Sequence, residues 1–199
     1  MDQIIALYGS PRKNGNSAAL LKQAVAGARQ EGAHVEEVFL RDFKISPCLE
    51  IYNCIKTGEC AIRDDFPEIL AKLEASSGVM LASPIFFYTL SAHTKIFMDR
   101  CQSLWVRKYW IEKQPFGKTP ETRKGLFISV GATEGKKLFD GAILTVKYFF
   151  DVLDAGLWKN VLCRGIDRRG EIEKREDYLD EAFQAGRGLA RALQEKKKQ

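Results

Sequence analysis

Apolar residues recur along this chain in two alternating rhythms. Short runs, IIALYG (4–9), HVEEVFL (34–40), GVMLASP (78–84), KGLFISVG (124–131) and NVLCRG (160–165), have the length and composition of buried strands. Between them apolar positions fall three and four apart, the spacing of an amphipathic helix. The first predicted helix starts at Asn16 or Ser17, either of which can cap it, turns Leu20, Leu21, Val25 and Ala28 inward, and stops at Gly32. A second opens at Asp64 and Asp65, tolerates Pro67 in its first turn and buries Ile69, Leu70 and Leu73. Further helices are predicted over 92–106, capped by Ser91, over 140–155 and over 175–194. Strands and helices alternating in this way make an α/β fold, a parallel sheet covered on both faces by right-handed crossovers. Ligands of such sheets gather outside the carboxyl ends of the strands.

A chain of 199 residues, 45% hydrophobic and 29% charged, suits one domain over 1–199 with a substantial core. The opening MDQIIALYGS has no basic segment before its short apolar run, so neither a secretion signal nor a membrane span is expected, and a cytoplasmic setting is. Five cysteines, three of them between 48 and 60, point to thiol or metal chemistry rather than a disulfide scaffold. The net charge of +5 includes the terminal run Lys196, Lys197, Lys198, a solvated helix end, and no nucleic-acid motif accompanies it. No nucleic-acid or membrane partner is expected.

The turn LYGSPRKNGNSAAL (7–20) joins the first strand to the first helix. A Walker loop needs four residues between its glycines, then Lys and Ser or Thr. Gly9 and Gly15 enclose five and lead into Asn16 and Ser17, so nothing replaces the lysine that neutralises a triphosphate. A dinucleotide turn needs Gly-x-Gly-x-x-Gly; Asp42 could supply its acid, but the glycine spacing fails. What remains is the hydroxyls of Ser10 and Ser17, the Asn16 amide, the Arg12 guanidinium and main-chain N–H groups at a helix start, a set suited to one phosphomonoester. The same residues also make an ordinary turn and cap.

After the third strand, Pro84 is followed by Ile85, Phe86, Phe87 and Tyr88, a bulky apolar group that is costly to leave in water. A flat aromatic ligand would cover it, and so would a neighbouring loop or a second subunit. Lys95, Asp99 and Arg100 further along read as surface pairs or dimer contacts. The segment from Trp105 to Lys124 is basic and aromatic: it caps a neighbour's ligand, attracts a ligand's phosphate, or is a dimer surface.

Gly-Ser-Pro-Arg-Lys-Asn-Gly-Asn-Ser (9–17), the loop Pro84 to Arg100 and Ser129-Val130-Gly131-Ala132-Thr133, in this order, resemble the flavodoxin-like NAD(P)H-dependent FMN reductase family, in particular its iron–sulfur flavoprotein branch. The resemblance extends to Gly165–Gly170 and the last helix, and so covers nearly the whole chain. It implies a three-layer sandwich around a five-stranded parallel sheet of order 2-1-3-4-5, FMN at its edge, and a homodimer or homotetramer that completes the flavin site. By the same resemblance Ser10, Arg12, Asn16 and Ser17, with Asn14 beside them, take the FMN phosphate. Pro84, Ile85, Phe86 and Phe87 contact the isoalloxazine, and Ser129, Gly131 and Thr133 form the third loop. Where Tyr88 stands, many members carry glycine.

The resemblance further implies hydride transfer from NAD(P)H to the flavin and reduction of a flavin, quinone or other small acceptor. No catalytic side chain is expected; His93 reads as a helix-surface residue and His34 as a structural one. The alternative is an electron carrier, of flavodoxin or iron–sulfur type, serving a protein partner; such carriers are usually acidic, unlike this chain. In the iron–sulfur branch the segment PCLEIYNCIKTGEC would hold four cysteines spaced two, two and about five apart. Here Cys48, Cys54 and Cys60 stand with Ile51 at the remaining place. Clusters of the four-iron kind take four thiolates, so the expectation is FMN alone, with free thiols, no metal and a labile cluster as the alternative; zinc is the remotest reading.

Overall fold

The computed structural model describes residues 3–116 and 122–196. In chain order the elements are β1 (Gln3–Tyr8), α1 (Asn16–Gln30), β2 (His34–Phe39), α2 (Cys54–Thr57), α3 (Phe66–Ala75), β3 (Gly78–Pro84), α4 (Ala92–Arg100), α5 (Gln102–Val106), β4 (Arg123–Val130), α6 (Asp140–Asp151), β5 (Ala155–Cys163) and α7 (Glu176–Lys196). The five strands pair in parallel in the order β2-β1-β3-β4-β5, with Tyr8 beside Ala82 and Phe39, and Pro84 beside Val130. Their carboxyl ends therefore finish level along one edge. Nearly continuous burial of β1, β3 and β4 follows from cover on both faces. One face packs Leu20, Leu21 and Val25 of α1 and Leu189 and Leu193 of α7 over Ile4, Met80 and Ile128. The other packs Ile69, Leu73, Phe97, Val146 and Phe150 over Ile5, Leu81 and Phe127.

The expected strands and sheet order are present, with local departures. The α1 cap is Gly15, in extended conformation and with no side-chain cap hydrogen bond, rather than Asn16 or Ser17. The helix expected over 92–106 breaks at Cys101 into α4 and α5, and a π turn (Arg107–Ile111) follows. The Ser91 cap is as expected, its Oγ accepting from the Thr94 N–H. Helix α6 stops at Asp151 because a turn through Asp154, at φ 54°, launches β5 already at Ala155. The single turn α2 has no apolar periodicity to announce it. Residues 117–121 of the aromatic segment, and Lys197 and Lys198, lie outside the described residues. Among the described residues no helix is long and apolar enough to cross a membrane.

Candidate functional site

The turn after β1 is held from below by α4. Gly9 N–H donates to the Ala82 carbonyl at 2.8 Å, and the Gly9 carbonyl accepts from the Ser91 hydroxyl. A Cβ on Gly9 would lie 1.9 Å from Thr94 Oγ1, so only glycine lets the chain pass here. The turn then folds on itself: Arg12 N–H donates to Ser10 Oγ at 3.1 Å and Gly15 N–H to the Arg12 carbonyl at 3.2 Å. Because Gly15 offers no capping side chain, the first-turn N–H groups of α1 face the concavity beside the hydroxyls of Ser10 and Ser17. That end of the helix carries positive potential and favours an anion.

Asn16 has a different task. Its Nδ2 donates to the Arg168 carbonyl at 2.8 Å, and its Oδ1 accepts from the N–H groups of Gly170 and Ile172 at 3.0 and 3.5 Å. The side chain thus pins the loop after β5 over the phosphate turn, leaving only the Asn16 main chain to meet an anion. Glu171 steadies the same loop by accepting from the N–H groups of Asp167 and Arg168, both at 2.8 Å, which holds its carboxyl below the usual range. Gly131, buried against Leu138, links the ends of β4 and β5: its N–H donates to Cys163 and its carbonyl accepts from Ile166.

After β3 the chain makes a tight hairpin. Phe86 and Thr89 exchange main-chain hydrogen bonds at 2.9 and 3.0 Å, with Phe87 and Tyr88 as the central pair at φ 48° and 61°. Phe87 is 102% exposed. Ile85 N–H donates to the Val130 carbonyl at 2.9 Å, fixing the hairpin to β4.

These loops enclose one cavity of about 220 Å³, walled by Ser10, Arg12, Gly15, Asn16 and Ser17 at one end and by Pro84, Ile85, Phe86, Val130 and Ala132 at the other, with Ile166 and Asp167 above. Seven of the sequence candidates meet there. Asn14 instead accepts from Lys22 and lines a neighbouring hollow with Arg12, Lys13, Arg41 and Arg169. Ser129 is buried and donates to the Ser83 carbonyl at 2.8 Å, Gly131 sits behind the wall, and Thr133 and Phe87 stand outside it. Ile166 and Asp167 carry no signal in the sequence: Ile166 is brought in by its N–H donating to the distant Gly131 carbonyl, and the loop that bears both is pinned by Asn16. Neither His34 nor His93 lines the cavity.

The cavity fits FMN on two observations. An uncapped helix start with two hydroxyls beside it suits a monophosphate, and a Cβ on Gly15 would intrude to 3.1 Å from Ser10 Oγ in that cradle. The apolar wall of Pro84, Ile85 and Phe86, level with the strand ends, suits a flat ring.

A second cavity, of about 380 Å³, lies beyond the far end of α4 and receives Cys48, Cys54 and Cys60 together with Ile51 and Trp110. Burial, and after it the neighbouring Cys60 and Cys48 thiols, push the Cys54 thiol up. The loop bearing them is clamped at its foot by Arg100, which is not the surface or dimer residue expected from its helical spacing: it is 1% exposed, stacks over the Phe66 ring at 4.7 Å and binds Asp64. Lys95 and Asp99 do form a surface pair. The aromatic segment folds upon itself, Tyr109 stacking on Phe116 at 4.2 Å and Trp105 against both Tyr109 and Trp110. Lys108 is buried against Asp154 at 2.8 Å, and the partly exposed Arg107 pairs with Glu74, so both cations already have carboxylate partners rather than awaiting an NADPH phosphate.

The family model of the NADPH-dependent FMN reductases matches residues 3–137, from β1 past the third loop. The chain belongs to this family. An iron–sulfur flavoprotein of Methanocaldococcus jannaschii is 37% identical over 102 residues, which are 51% of this chain and 53% of that protein. The chain spans about half the length of the curated relatives it matches. Among solved structures, an NAD(P)H:quinone oxidoreductase from Methanothermobacter marburgensis superposes with a TM-score of 0.68 at 19% identity, over 94% of this chain and 95% of that one. An FMN-dependent NADH-azoreductase from Bacillus anthracis in complex with FMN gives 0.68 at 14%, over 96% and 100%. At such identities these two likenesses show the fold. The family's flavodoxin-like architecture and its FMN cofactor account for the cavity at the strand ends.

Proposed function

We propose that this protein is an FMN oxidoreductase that draws reducing equivalents from NAD(P)H and delivers them to a small acceptor such as a flavin or quinone. The observation that carries the reading is the single cavity joining an uncapped helix N-terminus to an apolar wall at the sheet edge. Ser10, Ser17, the Arg12 guanidinium and the first N–H groups of α1 hold the phosphate. Pro84, Ile85 and Phe86 orient the ring, and Ala132, at the start of the third loop, faces its polar edge. The flavin, when bound, supplies the hydride and electron chemistry. The protein's share is orientation and fixed dipoles where charge grows, so no side-chain acid or base takes part.

A homodimer or homotetramer completes the site in this reading. Phe87 stands fully in solvent beside Tyr88, and Leu144 and Tyr148 of α6 add exposed apolar surface, more than a lone chain comfortably carries. Five free thiols, with Cys48 exposed, suit a reducing cytoplasm. A second reading, an electron carrier for a protein partner, is favoured by the thiol-lined cavity and by the iron–sulfur flavoproteins among the relatives.

The test is anaerobic addition of NADH or NADPH to the flavin-loaded protein. Bleaching of the flavin band, followed by turnover with a quinone, supports the enzyme. A flavin reduced by dithionite yet by neither nicotinamide contradicts it in favour of the carrier.

A further inference from the structure

Next to the phosphate end of the cavity lies a second hollow, of about 340 Å³, lined by Arg12, Lys13, Asn14, Arg41 and Arg169. Arg12 lines both spaces, so one guanidinium stands between them. The cations come from three separate parts of the chain: the turn after β1, the turn Leu40–Asp42 at the end of β2, and the loop after β5. Only the fold brings them together.

Main-chain contacts set these parts in place. Arg41 Nη1 donates to the Pro11 carbonyl, which ties the end of β2 to the phosphate turn. Asn16 bonds the Arg168 carbonyl and the Gly170 N–H, the peptide groups on either side of Arg169, and so holds that residue beside the same turn. Asn14 Oδ1 is taken by Lys22, so what its amide has left to offer is a donor.

No carboxylate lines the hollow. Asp42 beside it meets Lys13 at 2.6 Å and Arg41 at 3.6 Å, but the guanidiniums of Arg12 and Arg169 have no acceptor among the described residues. Four cations gathered around one counter-charge repel one another and draw in an anion. The phosphate of FMN is met on the other side of Arg12, by Ser10, Ser17 and the start of α1. Lys13, Arg41 and Arg169 are therefore surplus to it, and forked guanidiniums suit a phosphate best.

A molecule that reacts at the flavin ring and also reaches this hollow must lie along the FMN, one end at the apolar wall and the other past the phosphate turn. Two reactants of the proposed reaction carry a phosphomonoester far from their reacting ring. NADPH bears it on the adenosine ribose, and an FMN serving as acceptor bears it on the ribityl chain.

We propose that the hollow of Lys13, Arg41 and Arg169 binds the phosphomonoester of a substrate that visits the bound flavin, separate from the phosphate of the resident FMN. That the ligand is a substrate rests on the oxidoreductase reading; that the hollow binds its phosphate does not. A nicotinamide or acceptor lacking this phosphate reaches the same ring without the contact, so the hollow sets selectivity and takes no part in the chemistry.

The experiment is calorimetric titration of the FMN-loaded protein with two pairs of compounds, NADP⁺ against NAD⁺ and FMN against riboflavin, each pair differing by one phosphomonoester. In at least one pair the phosphate-bearing member is expected to bind about tenfold more tightly at low salt, and the pair that shows this names the source. Arg169→Ala removes an exposed cation that has no partner in the fold, and should erase most of the preference while leaving the phosphate-free member unchanged. Asp42→Asn releases Lys13 and Arg41 and should enlarge the preference, by about threefold. A purely structural role for these residues would move both members of a pair alike. Equal affinities within both pairs overturn the proposal, and so does a preference that Arg169→Ala leaves intact. Binding is read without turnover, so a protein that shows the preference yet is reduced by neither nicotinamide loses only the enzyme reading. One that turns over with no preference loses only this proposal.

Discussion

The Arg100 guanidinium meets the Asp64 carboxylate at 2.5 Å beneath the cysteine loop, joining the end of α4 to the chain that enters α3. Removing one partner of a buried pair leaves the other uncompensated, so Arg100→Ala is expected to cost about 3–5 kcal/mol. Burial pushes the Asp64 carboxyl up, but hydrogen bonds from Arg100 and from the Ser46 and Phe66 N–H groups outweigh it and hold it below the ordinary carboxylate value. With the folded value depressed, this contribution is complete above the unfolded carboxylate range and is lost as pH falls through the folded one. Urea unfolding at neutral and acid pH checks both points: Arg100→Ala should lower the midpoint most near neutrality, and its deficit should shrink in acid.

Asn16 is expected to act on the flavin through the loop it holds. Asn16→Ala leaves the Gly170 and Ile172 N–H groups without their acceptor and loosens the loop after β5 that carries Ile166 and Asp167 over the cavity. A loss of about 1–3 kcal/mol in stability and faster FMN dissociation should appear together. Unchanged FMN retention in a destabilised variant would limit the residue to a structural role.

The alternation of strands and helices, and with it the sheet and the edge where ligands collect, is legible in the sequence because burial on both faces leaves continuous apolar runs such as Ile4–Tyr8 and Val79–Ala82. Ser10, Arg12 and Ser17 are legible for a similar reason, since their chemistry and position in one short turn suffice. Asn16 is not. An asparagine at a helix start looks like a cap, and only the approach of residues 168–172 diverts its amide. Arg100 misleads in the same way: helical spacing says nothing of the Asp64 carboxylate that permits its burial. Ser129, in alternating register with the cavity wall, turns into the sheet and bonds Ser83.

The hairpin at Phe87 and Tyr88 should be strained. Two successive positive φ values make a turn that Asn-Gly fills best, and each side chain there costs on the order of 1–3 kcal/mol. Tyr88→Gly is therefore expected to raise stability by about 1 kcal/mol, read as a higher urea midpoint. A lower midpoint would show that contacts of the Tyr88 ring outweigh the strain.

Arg12 is exposed beside the phosphate turn, and its charge counts only when an anion is present. Arg12→Ala should weaken FMN binding by about 1.5–3 kcal/mol, the worth of a charge-assisted hydrogen bond, with fold stability of the flavin-free protein unchanged. Flavin fluorescence titration of the apoprotein measures it, and equal affinity in the two proteins would remove Arg12 from the site.

The most direct test of the account is the identity of the flavin released when the purified protein is denatured. The cavity, with one cradle for a single phosphate at the start of α1, predicts FMN at about one per chain. Release of FAD, or no bound flavin even after incubation with FMN, would contradict it.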